Sequence, residues 1–224
     1  MEIKLFEPWF FYSLLVAVYL SCRAPYIGVA MRVVNTMLHE FSHALVAFLF
    51  SGKIQSVKLF SNTEGEITIS GNNKIVQFLT ALAGYPLSAL SGMGILFLVM
   101  NDYQDVALWI LTAFASVLLL LFVRNLYGVI WLIVFMGINL SALLFEIYPL
   151  MSLLGLIYTF IIITEAAHSV FSLLVLSIRN PKMAGDATVL SKLTFLPAVF
   201  WALCFVGLNG FIVYFVVAKF FPFG

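Results

Sequence analysis

Met31-Arg32-Val33-Val34-Asn35-Thr36-Met37-Leu38-His39-Glu40-Phe41-Ser42-His43-Ala44-Leu45-Val46-Ala47-Phe48-Leu49-Phe50 is an apolar helical stretch with a charged motif inside it. His39-Glu40-Phe41-Ser42-His43 spells H-E-x-x-H. On a helix, residues i and i+4 stack on one face, so two imidazoles so placed can grip one metal ion. Glu40, beside the first His, is placed to act as general base toward water activated by the metal. The chain holds only three His, and two of them fall in this motif. The bland alternative is a set of polar residues packed in a core helix. Its cost argues against it, because ionisable groups at membrane depth are expensive unless they have a task.

Membrane depth follows from composition. The 224 residues are 63% hydrophobic and 9% charged, with mean hydropathy +1.11, where soluble domains carry about 25% charged residues. The expected fold class is therefore an all-α integral membrane protein in a lipid bilayer. Its apolar runs are too long for barrel strands. A net charge of +1 gives no footprint for nucleic acid. Cys22 and Cys204 lie in apolar surroundings and read as small hydrophobes without a disulfide. The N-terminal stretch reads as a retained helix and not a cleaved signal.

Apolar segments fall near 9–22, 31–50, 75–100, 106–123, 126–146, 150–178 and 194–218. At about 20 residues per span they predict about seven passes, with six as the alternative. No internal repeat or low-complexity linker divides residues 1–224, so a single polytopic domain is expected. Lys53, Lys58, Lys74, Arg124, Arg179, Lys182 and Lys192 sort to one face, and Asp102, Asp105 and Glu146 to the other. The positive-inside rule makes the basic face cytoplasmic. It also places the motif toward that side, about 10–16 Å from the helix end. Seven passes would put the N-terminus inside and the C-terminus outside. Arg23 and Arg32 would then fall in the first outer loop and oppose the rule.

Between the motif helix and the next apolar run, Ile54–Phe60 alternates imperfectly and Ile67-Thr68-Ile69 is β-branched. The turn-rich Ser61-Asn62-Thr63-Glu64-Gly65 separates them. This predicts a β-hairpin whose edge could pair with an extended substrate, or else a polar surface loop.

A catalytic zinc takes three protein ligands. The third could come from Glu146, Glu165, His168 or Asp186. Asp186, near a predicted helix start, is equally placed to cap that helix. Glu165 and His168, three residues apart, could satisfy each other, orient a ligand or supply the third ligand. Gly84-Tyr85-Pro86 is expected to break or kink the helix spanning about 75 to 100.

Three stretches together resemble the site-2-protease-like (M-fifty type) intramembrane zinc metalloproteases, in particular their compact bacterial B-like branch. They are Leu38–Leu45 with the following Gly52-Lys53, Leu82-Ala83-Gly84-Tyr85-Pro86, and Gly185-Asp186-Ala187 with Leu190, Leu193-Thr194, Pro197-Ala198 and Trp201. The Asp-Ala pair at 186–187 is similar to that branch, where other site-2 proteases carry Asp-Gly. The resemblance implies one Zn2+ held by His39, His43 and Asp186, with Glu40 catalytic. It implies a shaping role for Gly84, Tyr85 and Pro86 beside the metal, a membrane-embedded protein substrate and a bacterial cell membrane. Two rival readings stay open: a metal transporter using His39, Glu40, His43 and Glu165, and an inactive zinc-binding scaffold. Nothing in the sequence excludes a homo-oligomer.

Overall fold

The computed structural model describes residues 7–60, 65–70 and 73–222. Among them are α1 (Pro8–Arg23), α2 (Ile27–Leu49), β1 (Lys53–Leu59), β2 (Gly65–Ser70), α3 (Lys74–Met100), α4 (Gln104–Val117), α5 (Leu126–Leu144), α6 (Tyr148–Arg179), α7 (Gly185–Thr194) and α8 (Ala198–Phe220). A π-turn over Leu118–Phe122 extends α4. The fold is the expected all-α membrane protein with one small hairpin.

Five helices are long and apolar enough to cross a bilayer: α3, α4 with its π-turn, α5, α6 and α8. α1 and α2 pass the same test only together, and they are bent by 103° at the break between them. Pro25 sets that break. It drives Ala24 out of the helical region, and Tyr26 then takes φ 64°. Counting the pair as one broken span gives six crossings, the lower of the two expected numbers. The termini agree. The Tyr12 hydroxyl donates to the Pro222 carbonyl (3.2 Å), and Phe11 packs edge-on against Phe221 (5.1 Å). The start of α1 and the end of α8 thus lie on one face, where seven passes would have put them on opposite faces. Arg23 and Arg32 are likewise not in an outer loop. Arg23 ends α1 and pairs with Glu165 of α6, and Arg32 lies in α2. Removing one partner of such an enclosed pair typically costs about 3–5 kcal/mol.

Pro86 does not break α3, which runs unbroken from Lys74 to Met100 with Pro86 inside it. Inside a packed bundle the lost backbone bond is tolerable, because neighbouring groups and local adjustments can re-satisfy the freed carbonyl.

β1 and β2 pair antiparallel, with Lys53 opposite Ser70 and Leu59 opposite Gly65. A register shift between Ile54 and Ser56 accounts for the imperfect alternation of the sequence. Val57 and Leu59 point inward and are fully buried, and Lys58 and Glu66 pair across the outer face (3.3 Å). The tip, Ser61-Asn62-Thr63-Glu64, lies outside the described residues. The other edge of β1 is also engaged. The Arg124 amide donates to the Val57 carbonyl (3.2 Å). The Asn125 side chain accepts from the Leu59 amide (3.1 Å) and donates to its carbonyl (2.5 Å). Asn125 therefore completes the ladder as a third strand would, and the turn before α5 grips the hairpin.

Candidate metal centre

α2 presents His39 and His43 one turn apart on its inner face. Their Nε2 atoms are 3.0 Å apart, and each is 3.3 Å from Oδ2 of Asp186. Tetrahedral zinc with bonds of about 2.0–2.1 Å separates its ligands by about 3.3 Å. The three atoms already stand at that spacing.

Protonation points the same way. His43 Nδ1 lies 2.7 Å from the Thr80 carbonyl, which can only accept. Nδ1 therefore carries the proton, and Nε2 turns its lone pair toward His39 and Asp186. Oδ2 of Asp186 is enclosed and accepts no hydrogen bond among the described residues. Nε2 of His43 and Oδ2 of Asp186, with Nε2 of His39 beside them, converge on one point, a poor arrangement for a protein alone and a good one for a cation. The residues present thus fit a metal ion. Burial alone would raise the Asp186 carboxyl, but the His43 and His39 imidazoles beside it outweigh that and hold the group well below the usual carboxylate range.

Asp186 sits in the first turn of α7, and its side chain makes no cap bond. Of the two readings open in the sequence, the geometry favours the ligand. Gly185 aims it from φ +43°, a conformation that L side chains rarely adopt. The turn is held from below by the Thr188 hydroxyl, which donates to the Pro181 carbonyl (2.7 Å). Ala81, Ala184, Ala187, Ala198 and Ala202 form a buried cluster with Leu190 and Phe205. Their small size lets α7 pack closely between α3 and α8.

Glu40 is 4% exposed and lies against Gly65, where β2 begins. A Cβ at Gly65 would overlap the Glu40 carboxylate. Oε2 of Glu40 has no hydrogen-bond partner among the described residues. The hairpin therefore roofs the carboxylate and leaves its Oε2 without a partner.

Gly84 and Tyr85 frame the site from α3. A Cβ at Gly84 would stand 2.5 Å from His39 Cε1 and 2.6 Å from His43 Nε2. Real Cβ atoms essentially never come so close, so only glycine lets α3 pass both imidazoles. The Tyr85 ring packs against His39 (4.5 Å) and on its other side meets Phe205 of α8 (5.0 Å). Gly84→Ala should push both rings apart and weaken metal binding by about 10- to 100-fold, the loss typical of disturbed ligand support. Competition with a fluorescent zinc chelator would measure it, and unchanged affinity would contradict the packing.

The other sequence candidates lie elsewhere. Glu165 pairs with Arg23 and not with His168, because α6 turns the carboxylate toward α1. His168 is exposed on the wall of the same cavity. Glu146 lies in the loop between α5 and α6. None of the three joins the His39–His43–Asp186 group. The Thr80 carbonyl and Asn125 escape sequence reasoning. A backbone acceptor leaves no residue signature, and Asn125 looks like any loop asparagine.

The site opens on a cavity of about 620 Å³, whose walls include Arg32, Glu40, Gly65, Ile67, Glu165 and His168. No curated protein and no solved structure matches the chain. A family model described as Peptidase M50B-like matches residues 11–216, which takes in every element that builds the site. The chain belongs to the Peptidase M50B-like family, the membrane metallopeptidases of the site-2-protease type.

Proposed function

We propose that this protein is an intramembrane zinc metalloendopeptidase that hydrolyses peptide bonds in or near transmembrane segments of other membrane proteins. One observation carries the reading: three converging ligand atoms at tetrahedral spacing, beside a buried carboxylate that is not one of them. A purely structural metal site would close all four positions with protein ligands.

His39, His43 and Asp186 would hold zinc, which would supply Lewis-acid chemistry toward the scissile carbonyl and lower the pKa of water. Glu40 takes the proton from the attacking water and passes it to the amine nitrogen as the C–N bond breaks. The roof of β2 shields Glu40 from bulk solvent. Tyr85 and Gly84 keep His39 and His43 in register with Asp186.

A substrate helix must unwind before cleavage, because its carbonyls are bonded within the helix. The hairpin offers a place for the unwound stretch. β1 is paired on one side by β2 and on the other by the Arg124–Asn125 segment. Among the described residues no strand pairs with the far edge of β2. Its residues Gly65, Glu66 and Ile67 line the cavity. An extended segment added there would run beside Glu40.

The basic loops all lie on the face that carries the hairpin and α7. With Arg23 and Arg32 inside the bundle, the charge rule is no longer opposed, and the active site faces the cytoplasm of a bacterial cell membrane. Reconstituted protein should cleave a library of single-span peptides bearing helix-weakening residues. A chelator should abolish cleavage, and added zinc should restore it. Failure of zinc-loaded protein to cut any of them would overturn the reading.

A further inference from the structure

Arg32 stands out among the charged groups of the cavity. It lies on α2 seven residues before His39, two turns along the same face, so it looks into the same space. Its neighbours are accounted for. Glu165 is taken by Arg23, whose guanidinium also sits over the Tyr19 ring (5.3 Å). Glu66, at the hairpin edge, is paired with Lys58. A divalent cation in the metal site is balanced by Asp186 and Glu40. Arg32 forms no ion pair among the described residues, and its Nε is enclosed without a hydrogen-bond partner. Counting Arg32 as a second cation beside Glu165 changes nothing, since two guanidiniums and one carboxylate leave one positive charge. A half-buried guanidinium without an ion pair is suited to a carboxylate, which it can bind through two parallel hydrogen bonds.

We propose that Arg32 is a carboxylate-binding subsite of this cavity, which takes an acidic side chain of the substrate about three residues from the scissile bond. The spacing follows from geometry. Seven residues of helix separate Arg32 from His39 by about 10 Å, and an extended peptide covers about 3.3 Å per residue. The inference rests on the peptidase reading of the metal site and adds a substrate class to it: apolar segments bearing one Asp or Glu near the cut. A free chain end offers the same chemistry as a side chain, so the test separates the two.

The test uses the full-length, zinc-loaded Glu40→Gln protein, which binds without turnover, and fluorescent extended apolar peptides read by anisotropy. Blocked peptides carry Glu, Gln or Lys three residues to either side of the central bond. A further peptide ends there in a free carboxylate. The Glu peptide should bind about 10- to 100-fold more tightly than the Gln peptide. Arg32→Gln should erase that preference while zinc content stays stoichiometric, and Arg32→Glu should turn it toward the Lys peptide. Tight binding of only the free-ended peptide would overturn the side-chain assignment. Equal binding of Glu and Gln peptides, no binding of any, or a preference that survives Arg32→Gln would overturn the subsite. Cleavage by the wild-type chain without charge preference would sink this inference alone. Charge-selective binding without any cleavage would instead sink the peptidase reading.

Discussion

Glu40→Gln should leave zinc in place and lower peptide hydrolysis by about 10²- to 10⁴-fold, the usual worth of a positioned general base. The substitution is nearly isosteric, and Glu40 is enclosed beneath Gly65, so no space opens and no packing contact is lost. The ligand atoms of His39, His43 and Asp186 remain untouched. Only the capacity to take and return a proton disappears. Metal analysis and turnover of one transmembrane peptide, measured on the same preparation, check both halves. A transporter reading makes the opposite forecast: zinc flux into liposomes that does not depend on a base at residue 40. Unchanged cleavage by Glu40→Gln would end the proposed mechanism. Loss of zinc along with activity would reassign Glu40 as a ligand.

Asp186→Ala should reduce zinc affinity by more than about 100-fold, since disturbing ligand support alone costs about 10- to 100-fold. Two imidazoles from one helical turn then remain, and they cannot enclose a tetrahedral ion. The fold should survive. Asp186 caps nothing, and alanine suits a first helical turn. The small-residue docking of α7 on α3 and α8 does not involve the carboxylate. Zinc content after dialysis, with circular dichroism as the check on folding, decides it. Stoichiometric zinc in Asp186→Ala would move the third ligand to another residue lining the cavity, such as Glu40 or His168.

Much of this architecture was legible in the sequence, for definite reasons. The i, i+4 spacing of His39 and His43 carries its own geometry, because only a helix stacks those residues. The change from long apolar runs to β-branched alternation pointed to a hairpin or a polar surface loop, and the structure has the hairpin. Asp186 was different. Its position allowed a cap or a ligand, and the resemblance to a family tilted the choice. Other features were hidden. Hydropathy measures the length of a segment and not its direction, so α1 and α2 read as two passes where Pro25 makes one bent pair. Pro86 looked like a breaker because the packing that tolerates it lies in other helices. Glu165 has a potential partner three residues away, yet it chose Arg23, 142 residues distant. Local spacing cannot reveal a partner supplied by folding.

Asp186 reaches the site from a short helix near the end of the chain, while both imidazoles come from α2 near its beginning. A nascent chain that has placed α2 in the bilayer therefore holds only two of the three ligands. It stays a weak metal binder until α7 has been made and has docked. On the proposed metallopeptidase reading, the cleft would be inert throughout synthesis, and a truncated product would carry no competent centre. A metal held by His39, His43 and Asp186 would also tie together segments roughly 140 residues apart, closing a long loop of chain much as a covalent cross-link would. Metal loading would then come after α7 has docked and would brace the finished bundle.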